Sequence, residues 1–119
     1  PIFQGGANIA NLRLSKVNKE IAIAQYEKSI QTAFREVADE LATRKALAAQ
    51  LESQRRLVKA RQEAYDIAYA RYKQGTDSYL TVLDTHRSLF VAQQSEIAVE
   101  KQRLSNLVNL YKALGGGIN

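Results

Sequence analysis

The amino-acid sequence predicts an all-α protein: one long antiparallel coiled-coil hairpin, with a helix over about 7–73, a turn over about 74–77 and a helix over about 78–114. The first observation behind this prediction is that every proline and glycine except Gly75 lies near an end of the chain. The second is a seven-residue spacing of apolar side chains, which is typical of coiled coils. We expect residues 1–119 to form a single domain of this kind.

The first helix is predicted to run without interruption from Ala7 to Lys73. Alanine, glutamine, glutamate, lysine, arginine and leucine dominate this stretch, and all have high helix propensity. Its apolar side chains form two rows with heptad spacing, one of Ile23, Ile30 and Val37 and the other of Phe34, Leu41 and Ala48. These rows predict that one face of the helix packs against a partner helix.

A single turn is predicted at Gly75. Glycine readily adopts the left-handed conformation that follows the last residues of many helices, so Gly75 suits the end of the first helix. Thr76, Asp77 and Ser78 are each suitable N-caps for the second helix. The second helix is expected to end before three consecutive glycines, residues 115–117.

The second helix carries one complete heptad row, which we predict to be its packing seam. This row consists of Leu83, Phe90, Ile97, Leu104 and Tyr111. A companion row with a polar middle, which we expect to be partly hydrated, consists of Leu80, Arg87, Gln94, Lys101 and Val108. Further apolar side chains lie outside both rows, namely Leu89, Val91, Val99, Leu107, Leu110 and Leu114. Two helices of unequal length cannot bury so wide a stripe, so we expect additional helices to cover the hairpin.

The composition excludes several classes of function. The chain has no cysteine, and its only histidine is His86, which we expect at the surface; disulfide scaffolds, thiol catalysis and histidine-rich metal sites are therefore excluded. No nucleophile–base pair, phosphate-binding loop or metal-spaced carboxylate cluster is visible, so we predict no enzymatic activity, no metal site and no cofactor. No run of about 18 apolar residues is present that would cross a bilayer as a helix.

The chain is basic, with a formal net charge of +5 and a pI of about 9.6. Charges of both signs alternate along most of the sequence, as on a solvated helix face, and no nucleic-acid-binding module is present. We therefore expect no binding to nucleic acid. A local excess of basic side chains over 44–61 is interpreted as an outer surface rich in lysine and arginine.

Four motifs, in order along the chain, resemble the TolC-type outer-membrane efflux factor family. Residues 1–6 (Pro-Ile-Phe-Gln-Gly-Gly) resemble the segment that leaves the β-barrel and enters a long periplasmic helix. Residues 33–42 resemble a signature in the middle of that helix, and residues 72–84 resemble the turn at its periplasmic tip. Residues 110–117 resemble the C-terminal signature of the OprM-like branch, which works with resistance-nodulation-division pumps.

The resemblance implies a passive exit duct for drugs or solutes in the outer membrane of a Gram-negative bacterium. The full-length duct would be a homotrimer, and this chain would be a periplasmic hairpin fragment from the second of two repeats, part of a periplasmic α-barrel. Its contact with the membrane would be only through β-barrel segments that this chain lacks. A periplasmic adaptor protein would dock at the tip, and an inner-membrane pump would act through it. The unusual first residue, Pro1, agrees with a fragment or a processed product.

The resemblance also implies roles at the tip for an entrance set of three residues: Tyr72, Asp77 and Asp84. Asp77 and Asp84 are seven residues apart, a spacing of two helical turns on one face, and the corresponding carboxylates of the family ring a closed entrance. Helix capping accounts for each aspartate equally well. Where TolC has a basic residue, this chain has Asp77, as in the OprM-like branch. The residues implied in adaptor docking are Gln74, Gly75, Thr76 and Leu80.

Two other functions stay open at this stage. The chain is also compatible with the α-helical hairpin of a periplasmic adaptor protein, although the arms of such hairpins are nearly equal in length. It is compatible as well with a purely structural coiled coil, for which the acids at the tip and the wide apolar stripe would have no purpose.

Overall fold

A computed structural model describes residues 2–116, with side chains from Gln4 onward, and confirms the all-α prediction. Helix α1 spans Ile2–Lys73, and helix α2 spans Tyr79–Ala113. The predicted bounds of both helices are correct to within one residue, except at the start of α1. There the helix includes Gly5 and Gly6, because a glycine lowers helix propensity by only about 1 kcal/mol and does not forbid the helical conformation. Pro1 and Gly117, which also entered the predictions, lie outside the described residues.

The chain divides into two units, residues 1–38 and residues 39–119. In the first unit, the large apolar side chains of α1 from Ile9 to Phe34 are exposed, including the predicted row members Ile23 and Ile30, whereas Val37 is half-buried. A single helix has no second surface against which to bury them, so this exposure follows from its being alone in its unit. The assignment of residues 1–119 to one domain stays a prediction.

In the second unit, the end of α1 packs against α2 in an antiparallel pair with a narrow seam. The buried apolar side chains of this seam are Leu47, Leu51 and Ala68 from α1, and Val82, Leu89, Ala92, Val99 and Leu110 from α2. Together with the buried Asn106, those on α2 follow one another at intervals of three, four or seven residues, which is the heptad spacing of a coiled coil. The coiled-coil prediction is therefore correct for this unit, but the predicted α1 row is wrong here, because its members Leu41 and Ala48 are exposed.

The predicted seam of α2 is wrong by one position. Each of its five members follows a seam position by one residue, and each side chain is roughly half exposed or more. We call these residues the outer row (Leu83, Phe90, Ile97, Leu104 and Tyr111). The companion row is exposed as well. The helix carries two apolar stripes of the same period, and a period does not say which stripe faces the partner. The short connection from Lys73 to Tyr79 sets the rotation of α2, and it turns the stripe of Val82, Leu89 and Val99 inward.

Candidate functional site at the hairpin tip

The end of α1 is closed by a Schellman motif. Gly75 has a φ of +75°, and its N–H donates to the Tyr72 carbonyl oxygen at 2.9 Å. The Thr76 N–H donates to the Arg71 carbonyl oxygen at 3.0 Å, and the Thr76 hydroxyl donates to the same oxygen at 3.0 Å. These bonds satisfy carbonyl groups that the helix end would otherwise leave free. The predicted C-capping role of Gly75 is therefore confirmed.

Helix α2 begins with Ser78 as its N-cap, the last of the three predicted candidates. The Ser78 backbone is extended, and its hydroxyl oxygen accepts a hydrogen bond from the Thr81 N–H at 3.4 Å. The Thr76 hydroxyl is instead committed to the end of α1. The connection between the helices is thus made of two caps placed one after the other, with no free loop between them.

Asp77 is tied into the start of α2 by its carboxylate. The Oδ1 atom of Asp77 accepts hydrogen bonds from the Thr81 hydroxyl at 2.9 Å and from the Ser78 N–H at 2.8 Å. The bond from Thr81 is the main cause that lowers the pKa of Asp77; the bond from Ser78 and the charge of Arg71 lower the pKa further, and partial desolvation opposes them. Asp77 is therefore an ionised group within a polar turn.

The two acids predicted at the entrance are not placed alike. Asp84 lies inside α2, whereas Asp77 precedes it, and the extended backbone of Ser78 lies between them. The expected spacing of two turns on one helix face is therefore wrong. Asp84 is exposed, and its Oδ1 atom lies 3.5 Å from Nη2 of Arg87, so the nearest charge to it is a cation on its own helix.

Aromatic side chains join the two helices at the tip. The rings of Tyr72 and Tyr79 lie 5.1 Å apart between centroids, and farther from the turn Tyr65 and His86 lie 5.2 Å apart. Edge-tilted aromatic pairs of this kind stabilise a contact by about 0.5–1.5 kcal/mol beyond the area they bury. Tyr72 is thus brought into the site, and its partner Tyr79 is a member of the tip that sequence reasoning did not select.

The residues implied in docking lie at the apex. Gln74 and Leu80 have exposed side chains, and a methyl group added at Gly75 would meet no atom within 4 Å. Thr81 and Arg87 were not assigned to the tip site, although each binds one of its acids. Both could have been identified from the sequence, because each lies three or four residues from its acid, a spacing that brings side chains together on one helical turn.

A polar groove runs along one side of the seam, away from the outer row. Five polar residues of α2, each directly before a seam position, recur every seven residues; we call them the groove row (Thr81, Ser88, Ser95, Gln102 and Asn109). All five line one of three open cavities of about 570, 280 and 190 Å³ between the helices. Residues one before and one after a seam position lie about 100° to either side of it. The groove row and the outer row therefore occupy opposite sides of the hairpin.

Neither a metal centre nor a membrane span is found in the part of the chain that the structure describes. No group of three or more metal-ligating side chains comes together over residues 2–116. Within the same residues, neither helix has a stretch apolar enough over 18 residues to cross a membrane.

Comparison with known proteins identifies the family. The chain matches the family model described as outer membrane efflux protein over residues 1–116, and it belongs to that family. It is 54% identical over 117 residues to the probable efflux pump outer membrane protein TtgC of Pseudomonas putida, which covers 98% of this chain and 24% of that protein. The predicted family is thereby confirmed.

Solved structures agree with this assignment. A membrane protein from Pseudomonas aeruginosa shares 47% identity and a TM-score of 0.80, over 98% of this chain and 26% of that chain. CusC, whose structures concern folding and transmembrane channel formation, shares 42% identity and a TM-score of 0.77, over 92% of this chain and 26% of that chain. The chain thus spans about a quarter of the length of these relatives.

Proposed function

We propose that this hairpin forms part of the wall and the periplasmic entrance of a passive exit duct in the outer membrane, within a tripartite efflux system. Family membership supports this proposal, because TtgC is described as an efflux pump outer membrane protein and CusC as forming a transmembrane channel. The adaptor hairpin and the purely structural coiled coil, which the sequence left open, find no support in these relatives.

The observation that carries the proposal is the two-sided character of the hairpin. The outer row leaves five large apolar side chains exposed on one side of the seam, and they need cover from neighbouring helices. The groove row gives the other side hydroxyl and amide groups that bind water well. A helical wall around an aqueous passage requires both properties, because each of its helices has lateral neighbours and one face toward water.

We further propose that three copies of the intact protein assemble and that the outer row lies among their lateral contacts. At the tip, a periplasmic adaptor would dock on Gln74, Gly75, Thr76 and Leu80, and the inner-membrane pump would act through it. The open space at Gly75 supports this, since it leaves room for a partner side chain at the apex.

The entrance itself is proposed to use Tyr72, Asp77 and Asp84. Carboxylates repeated around a narrow bore attract cations, so a ring of Asp84 from each copy would favour positively charged solutes. The charge of Arg87 partly offsets this effect. Asp77 would add its negative charge to the same entrance, and its carboxylate also orders the turn.

The proposal is tested by thiol labelling of the intact protein in a planar bilayer. Ser95→Cys, in the groove row, is compared with Gln94→Cys, the adjacent exposed position outside it, after treatment with a bulky cationic thiol reagent. We expect the reagent to reduce the single-channel conductance of the Ser95→Cys protein and to leave that of the Gln94→Cys protein unchanged. A protein without conductance, or block at Gln94→Cys alone, would refute the proposed duct wall.

A further inference from the structure

Two side-chain amides cross the seam in opposite directions. Nε2 of Gln54, on α1, donates a hydrogen bond to the backbone carbonyl oxygen of Ala92 on α2 at 3.2 Å. Nδ2 of Asn106, on α2, donates to the backbone carbonyl oxygen of Glu40 on α1 at 3.1 Å, and it also bonds to the Glu40 carboxylate. Each helix therefore donates a side-chain hydrogen bond to a backbone carbonyl oxygen of the other helix.

The spacing of these two contacts is the same on both helices. Glu40 and Gln54 are fourteen residues apart on α1, and Ala92 and Asn106 are fourteen residues apart on α2. Fourteen residues are two heptads, so both contacts belong to one register of the coiled coil. A slide of α2 along α1 displaces both contacts by the same distance.

Asn106 is a polar residue at a buried position, where an apolar side chain is more favourable. It is 3% exposed, the only buried polar side chain among those described, and it lies in the seam between Val99 and Leu110. Its Oδ1 atom has no hydrogen-bond partner within the described part of the chain. A buried oxygen left in this state destabilises the fold, and an apolar side chain of similar size avoids that loss. Stability alone therefore does not explain the asparagine.

Apolar contacts do not define the register of this seam strongly. On α2 its apolar members include pairs that are seven residues apart, so a displacement by one heptad still brings apolar side chains to the seam. A polar residue within an apolar seam is the best-attested means of selecting one register among these alternatives. Asn106 supplies that selection here, because its amide also bonds to the Glu40 carboxylate. One heptad away on α1 stand Ala33 and Leu47, which have no carboxylate.

We propose that Gln54 and Asn106 are a pair of register-setting residues that lock the two helices of this hairpin in one axial alignment. The inference concerns the hairpin itself and does not depend on the proposed duct.

The test measures alignment and stability separately in the intact protein. Spin labels are attached at Lys59→Cys and Gln94→Cys, two exposed positions on α1 and α2, and labelled protein is mixed with excess unlabelled protein so that only distances within one chain are read. The parent is compared with the double variant Gln54→Leu plus Asn106→Leu. Asn109→Leu, which replaces an exposed asparagine of the same groove, is the matched control.

We expect one narrow distance distribution for the parent and for the control. In the double variant we expect a second or broadened distribution, because a displacement by one heptad moves α2 about 10 Å along α1. The thermal midpoint should be unchanged or raised, because the unpartnered oxygen has been removed. A lowered midpoint with an unchanged single distance would show that the amides only stabilise the fold, and would overturn the proposal. The double alanine variant is measured in the same way if the leucine variant fails to assemble.

Discussion

The Asp77 carboxylate accepts the hydroxyl hydrogen of Thr81 at 2.9 Å, so an acid implied at the entrance also orders the first turn of α2. A change at this residue therefore has two effects, one on charge and one on the fold of the tip. Only a variant that separates them reports on the entrance.

Replacing Asp77 with asparagine separates the two effects. The Oδ1 atom of an asparagine still accepts the bonds from Thr81 and Ser78, but the negative charge is gone. We expect Asp77→Asn in the intact protein to weaken block by multivalent cations in a planar bilayer while the hydrogen exchange of the first turn of α2 stays near that of the parent. Asp77→Ala should weaken the block and also speed the exchange. Equal block in all three proteins would remove Asp77 from the entrance.

The lowered pKa of Asp77 predicts a loss of order at the tip in acid. A carboxyl group whose folded-state pKa lies below its ordinary value of 3.8 stabilises the fold fully above that value, and the contribution disappears as the pH falls through the lower folded-state pKa. NMR titration of selectively labelled aspartate should therefore show Asp77 titrating below 3.8. In Thr81→Val, which lacks the hydroxyl donor, the pKa should move toward 3.8, since the bond from Thr81 is the largest cause of the shift. A titration indifferent to this substitution would contradict the hydrogen-bond assignment.

Two adjacent residues of α2 should respond in opposite ways to truncation. Leu89 is 5% exposed in the seam, whereas Phe90 is 54% exposed in the outer row. Leu89→Ala should destabilise the hairpin by about 2–5 kcal/mol, the usual loss for a buried leucine, and the loss should be visible as faster hydrogen exchange along the seam. Phe90→Ala should leave that exchange nearly unchanged and instead reduce the assembled fraction in sedimentation of the intact protein. The opposite result would show that the outer row, rather than the row that contains Leu89, packs against α1.

Substitution of two glycines by alanine isolates the cost of the left-handed backbone. An added methyl group meets no atom within 4 Å at either Gly75 or Gly6, so steric clash does not distinguish them. Gly75 has a φ of +75°, and Gly75→Ala should destabilise the turn by about 1–2 kcal/mol. Gly6 lies within α1, and Gly6→Ala should stabilise the helix by about 0.5–1 kcal/mol. Thermal unfolding of the two variants should give shifts of opposite sign, and shifts of the same sign would contradict this account.

The elements of this fold were predictable because breakers mark their ends. The single interior glycine, Gly75, placed the turn, and Ser78 was among the three caps proposed for α2. The start of α1 was placed too late, since Gly5 and Gly6 were given more weight than their helix propensity justifies. Local sequence features were thus sufficient to place three of the four helix ends, but they did not place the start of α1.

The choice of seam was not predictable from one sequence. Leu89 and Phe90 belong to neighbouring stripes of equal period, and the stripe with the larger side chains is the one left exposed. That choice depends on how the turn rotates α2, which is a property of the connected chain rather than of the helix. The partners of the two acids at the tip, Thr81 and Arg87, are local instead, and a spacing of three or four residues could have identified them.

Helix α2 contains 35 residues, a whole number of heptads. At the 3.5 residues per turn of a coiled coil this is about ten complete turns, so Leu114, the residue that follows the helix, points in the same direction from the axis as Tyr79, its first residue. The hairpin can therefore be lengthened or shortened by seven residues in each arm, about 10 Å, without rotating its sides. An insertion whose length is not a multiple of seven would turn the apolar side away from its neighbours beyond that point. The length of this hairpin can therefore change only in whole heptads if its sides are to keep their orientation.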